Sequence, residues 1–185
     1  MYPDHSLMPK EAIRLAALGM VGEGPVAYAD LASRVRDFTS HIMGPNIDLM
    51  GTSIQILCLE GLVTSKGTLE GQPLSPDAEL TITESGEREL KTLLMATVRT
   101  PFDDLNKLII ALKMRFFDHL DDDAKRSQID LITFALEGEM ARLAVLYAQQ
   151  STDAPSGNAL AAWLDHELNR IEADLQWFKD FKTRL

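Results

Sequence analysis

The sequence predicts a mostly α-helical protein with one short β-hairpin in its first half. Three observations carry this. Apolar residues recur at steps of three and four over most of the chain, the period of a helix with one buried face. The run ELTIT, from Glu79, alternates with period two, a strand signal. The end of the chain carries Leu164, Ile171, Phe178 and Leu185 at intervals of seven, with Leu168 and Leu175 four residues after the first two.

The first helix begins after Pro9, a residue suited to a first helical turn. It buries Ile13, Ala17, Met20 and Val21, and Gly22, Gly24 and Pro25 end it. A second helix fits Ala29 to Phe38, with Leu31, Val35 and Phe38 on one face. Thr39 to Asp48 reads as a connector because it holds Gly44, Pro45 and Asn46. Asn46 or Asp48 is placed to cap a third helix that turns Met50, Ile54 and Leu57 inward and closes at Gly61. Leu62–Ser65 and Glu79–Thr83 are the two strands. Gly67, Gly71, Pro73 and Pro76 between them rule out a helix there. Thr83 caps a fourth helix, with Ser85 as a second side chain able to bond the next turn. Helix, helix, helix, strand, strand, helix is a winged helix-turn-helix with a two-stranded wing, assigned to residues 8–96.

Beyond Pro101 the chain reads as helical throughout. Phe102, Leu105, Ile109, Leu112 and Phe116 keep helical spacing. The acids from Asp121 suit the positive end of the next helix dipole, which continues through Ile129, Ile132, Leu136, Met140, Leu143 and Tyr147. Ser151 to Gly157 is a turn, and it leads into a last helix. About three heptads on that helix form a face for pairing along its length. Leu164, Leu168, Ile171, Leu175 and Phe178 are therefore expected at a dimer interface, and residues 101–185 as a helical C-terminal dimerisation region. Trp163, Trp177 and Phe178 read as interface packing in preference to a ligand pocket.

Composition narrows the function classes. A hydrophobic share of 45% supports a sizeable core. The net charge is −10, so the long-range field repels both nucleic-acid phosphate and anionic lipid. A local basic patch still acts within a Debye length of about 8–10 Å. The lone Cys58 permits neither an intrachain disulfide nor a cysteine zinc site. His5, His41, His119 and His166 show no metal-ligand spacing. No metal and no cofactor are expected, and with no catalytic motif the chain does not read as an enzyme. The N-terminal segment lacks a secretory pattern and no apolar run reaches a membrane span, so a cytoplasmic protein is expected.

Three stretches carry a family resemblance: GPVAYADLASRV (Gly24 to Val35), LCLEGLV (Leu57 to Val63) and ITESGEREL (Ile82 to Leu90). Together with FDDLNKLIIALKMRFFDHL and WLDHELNRIEADLQWF in the second half of the chain, they resemble PadR-like transcriptional regulators in order and spacing across nearly the whole chain. The resemblance implies a homodimeric DNA-binding regulator whose last helix packs against the first helices of the partner subunit. It also implies repression relieved by a small-molecule effector, as in many members.

The sequence departs from that family where DNA is read. Gly51 stands at the usual aromatic position of the recognition helix, and Thr52 and Ile56 stand at positions that are often basic. The wing run SPDAELTIT carries Asp77 and Glu79 where basic residues are common. The residues left for DNA are Thr52, Ser53 and Gln55 on the recognition helix, with Arg34, Arg36 and Lys66 for phosphates; Arg14 is a further candidate cation for the same role. Two readings are open. One is a dimeric DNA-binding regulator, a repressor with an effector. The other is a protein-interaction or ligand-sensing module on the same scaffold that has lost DNA binding.

Overall fold

A computed structural model describes residues 1–44, 54–66, 74–99, 103–153 and 159–185, with the backbone alone for 151–153. The helices are α1 (Pro9–Gly22), α2 (Tyr28–Met43), α3 (Ile54–Leu59), α4 (Glu84–Leu94), α5 (Asp104–Arg115), α6 (Asp122–Asp153) and α7 (Ala159–Lys182). The strands are β1 (Val26–Ala27), β2 (Val63–Lys66) and β3 (Glu79–Ile82). Among the described residues, no helix is long and apolar enough to cross a membrane.

The chain forms two compact units. One takes Met1–Thr97 and the segment that ends at Leu120, and the other takes Asp121–Leu185. The first is built around α1, which is buried on almost every side from Ala12 to Val21 and touches α2, α3, α4, α5 and β3. Gly19 lets this happen: a Cβ there would lie 2.3 Å from the Phe116 ring, which closes over the helix. Helix α5 adds Leu108, Ile109 and Leu112 to the same core. The sequence division at Pro101 groups this helix with the C-terminal region, whereas its packing partners are α1 and α2.

The wing is the predicted antiparallel hairpin of β2 and β3, with Val63 opposite Ile82 and Lys66 opposite Glu79. A third strand extends it, since β1 pairs with β3 through Val26 and Leu80. The order is therefore β1-β3-β2. Helix α2 runs to Met43, five residues past the predicted end at Phe38. Thr39 and Ser40, which read as turn residues, return their hydroxyls to the helix's own carbonyls, Thr39 to that of Val35 at 2.9 Å and Ser40 to that of Asp37 at 3.0 Å. Gly44, at φ 86°, ends it.

Gly61 closes α3 as predicted. Its φ is 69°, its N–H donates to the Cys58 carbonyl, and the Leu62 N–H donates to that of Leu57. This double bond pattern is a Schellman cap. Thr83 caps α4 by accepting from the Gly86 N–H at 3.0 Å. Ser85 does not bond the backbone of that turn; its hydroxyl accepts from Arg88 at 2.9 Å.

The second unit pairs α6 with α7. Ion pairs from Lys182 to Asp130 (2.5 Å) and from Lys179 to Glu137 (3.0 Å) run in opposite chain directions, so the helices are antiparallel. Helix α6 continues through Asp153, so the predicted turn begins later than Ser151.

Candidate nucleic-acid interface

Helices α2 and α3 with the β2–β3 wing are the parts of a winged helix that face DNA. On α3, Ile54 and Leu57 are buried, which turns Gln55, Ile56 and Leu59 away from the core. Leu59 is 78% exposed and Ile56 is also open to solvent. Gln55 and Cys58 are half-buried. Burial pushes the Cys58 thiol up, so it stays neutral near pH 7 and adds no anion to this surface. Thr52 and Ser53, expected at the start of this helix, lie outside the described residues, as do Met50, Asn46 and Asp48.

The cations divide into free and committed. Arg34 and Arg36 are both exposed on α2, on opposite flanks of buried Val35. Among the described residues neither forms an ion pair or side-chain hydrogen bond, although Asp30 and Asp37 lie about one turn from Arg34 on either side. Asp37 instead accepts from Ser33 at 3.4 Å. Lys66 is committed: its Nζ donates to Glu79 across the wing at 2.8 Å. That hydrogen bond, and then the Glu79 charge, hold the Lys66 pKa above its usual value. Both side chains are exposed, so the pair is weak and can be exchanged for a phosphate. Arg14 is tied to Glu60 at the end of α3 and to Glu89 of α4, the latter at 3.2 Å, and is not available to compensate.

The recognition helix is held from behind by a compact joint. The Thr83 hydroxyl donates to the Gly61 carbonyl at 2.7 Å, and the Thr83 N–H donates to the Leu62 carbonyl at 3.0 Å. Gly86 lies so close that a Cβ would stand 2.1 Å from the Leu62 oxygen. The end of α3, the start of β2 and the start of α4 are thus fixed to each other.

The family model described as "Putative AphA-like transcriptional regulator" matches residues 2–182. The chain belongs to that AphA-like family. It is accordingly a winged-helix transcriptional regulator, and the coarse function is DNA-binding regulation. Similar solved chains include Bacillus subtilis PadR in complex with operator DNA, at 18% identity over 94% of this chain and 97% of that one, with a TM-score of 0.38. The same protein in complex with p-coumaric acid gives 16% identity, 97% and 98% coverage and a TM-score of 0.39. The protein smu.1604c from Streptococcus mutans UA159 gives 16%, 90% and 96%, and 0.38. No curated protein matches this chain.

For this AphA-like chain the residues expected at a dimer face have another role within the single subunit. Leu164, Ile171, Leu175 and Phe178 are buried, and Leu168 is half-buried, where α7 lies along α6. Ile129, Ile132 and Leu136 supply the other side of that seam. A heptad face looks the same whether its partner is in the same chain or in another. The apolar side chains left open are different ones. Trp163 and Trp177 stand two heptads apart on one flank of α7 and are about half exposed. Trp177 stacks on Phe181 with ring centroids 5.2 Å apart, and Arg184 lies over Phe181 at 5.6 Å. The sequence groups both tryptophans with Phe178 as interface packing; Phe178 is buried, and its ring meets that of Trp177 edge to face at 4.9 Å.

Proposed function

We propose that this protein is a homodimeric repressor that holds operator DNA through α3 and α2 and releases it when a small molecule binds. The observation that carries the DNA reading is the pair Arg34 and Arg36, exposed and unpaired among the described residues on the first helix of the helix-turn-helix. Two free guanidinium groups there supply the local positive charge that the −10 chain otherwise lacks. Lys66 on the wing adds a third by exchanging Glu79 for a phosphate, and Gln55, with Thr52 and Ser53 ahead of it, supplies polar contacts to the bases.

The dimer is proposed to form through the open flank of α7, with Trp163 and Trp177 as its anchors, in place of the face buried against α6. Half-exposed tryptophans with a stacked neighbour are what a desolvated interface centre requires. The proposed effector seat is the groove between α6 and α7, about 580 Å³, whose lining includes Arg126, Asp130, Phe134, Glu137, Lys179 and Lys182. Phe134 offers it an exposed ring.

The test is a salt titration of the purified protein with a labelled fragment of its own upstream DNA. Saturable binding that weakens as salt rises supports the reading. An intact dimer that ignores this DNA at low salt favours the second reading, a protein-interaction or ligand-sensing module. The observation behind that alternative is the exposed apolar pair Ile56 and Leu59 on the recognition helix.

A further inference from the structure

We propose that Ile56 and Leu59 read the C5-methyl groups of thymines in the major groove, so that α3 selects A·T pairs by apolar contact. The inference rests on the DNA-binding reading above and goes beyond it by assigning a base class and the two side chains that choose it.

From Ile54 to Leu59 the sequence of α3 holds no lysine or arginine, the side chains that pair with the guanine O6 and N7. Its outward side instead holds Gln55, Ile56 and Leu59, because Ile54 and Leu57 are spent on the core. Ile56 and Leu59 are three residues apart and so share one side of the helix. Among the base edges of the major groove, the apolar group on offer is the thymine methyl. Its partner adenine presents N6 and N7, the pair that a glutamine amide matches. An A·T pair therefore offers the apolar side chains of this face a methyl group that a G·C pair lacks.

Charge favours DNA over a protein as the occupant. The acid next to the patch, Glu60, is paired with Arg14, which it shares with Glu89, and the Cys58 thiol is uncharged. Arg34 and Arg36 on α2, without a partner among the described residues, are the cations of the motif left for phosphates.

The experiment uses the full-length protein and a randomised duplex pool. Sequences that survive selection at low salt should be enriched in A·T pairs. In the best of them, thymine is then replaced by uracil one position at a time, which removes the methyl and keeps every hydrogen bond. At the contacted thymines, affinity should fall about four-fold per methyl. Ile56→Ala and Leu59→Ala should bind more weakly and lose the sensitivity to uracil. Leu59 is open to solvent, so its replacement leaves the fold in place. Uracil tolerated at every position overturns the inference while DNA binding stands. Variants that keep the full uracil penalty overturn it as well, since something else then senses the methyl. A pool that yields no enriched duplex sinks both this inference and the DNA-binding reading, and leaves the apolar pair to a protein partner.

Discussion

The Nζ of Lys113 on α5 donates to the carbonyl of Ala96 at 2.7 Å, and it donates as well to that of Leu94 at the end of α4. The Leu94 carbonyl stands at the negative end of the α4 dipole, which a cation stabilises. The side chain is 1% exposed, and burial pulls its pKa down to about 7. In the unfolded chain a lysine titrates near 10.4. Between about pH 7 and pH 10 the unfolded chain therefore holds a proton that the folded chain has lost. Stability should rise with pH across that window and be flat below it. Urea unfolding at several pH values in both proteins checks this: Lys113→Met should flatten the rise. It should also cost about 1–3 kcal/mol by leaving two buried carbonyls unpaired. A native profile with no rise would show that the buried amine keeps its proton.

Gly86→Ala should strike the joint behind the recognition helix. The new methyl would collide with the main chain of Leu62, which cannot swing aside as a side chain can. A loss of about 1–3 kcal/mol is expected, as for overpacking elsewhere. Thermal unfolding reads it, and an unchanged midpoint would mean that the joint has slack.

Arg34→Ala and Arg36→Ala should each weaken DNA binding without favouring any sequence, because a phosphate contact carries no base information. Each should also lower the slope of log affinity against log salt by about one. Slopes equal to that of the parent protein would remove these residues from the interface.

Trp177→Asp and Ile171→Asp separate the two sides of α7. Trp177 is half exposed, so its replacement should leave the helical content intact and turn dimers into monomers in sedimentation. Ile171 is buried against α6, so its replacement should unfold the pair, at about 2–5 kcal/mol from lost burial alone. Monomers from Ile171→Asp with full helicity would instead place the dimer seam on the buried face.

Much of the fold is legible in the sequence where one residue type has one physical use. Gly61 must adopt positive φ after Leu57–Glu60, and Thr83 must cap α4, so both helix ends are read correctly. Strand β1 is not legible, because two residues show no period. The extra turn and a half of α2 is hidden by Thr39 and Ser40, whose hydroxyls serve a turn or their own helix equally well. Lys113 is passed over because a lysine is normally solvated, yet it lies four residues after buried Ile109 and seven after buried Asn106, on the inward face. At the candidate interface the sequence names Arg34, Arg36 and Gln55 from their chemistry. It leaves undecided that Lys66 is paired, because that depends on the distance to Glu79 on another strand, and that Arg34 has no partner among the described residues, because acids one turn away on a helix are in reach whether or not they bond.

The place of α5 also has a meaning in time. Leu108, Ile109 and Leu112 fill the core of the first unit, yet they are translated after the wing and α4. A ribosome adding about 5–20 residues per second reaches Leu120 roughly one to five seconds after α4 is finished. Until then the newborn helices and wing wait with one apolar side uncovered. The arrival of a single helix thus sets how long the core of the first unit stays uncovered while the chain is being made.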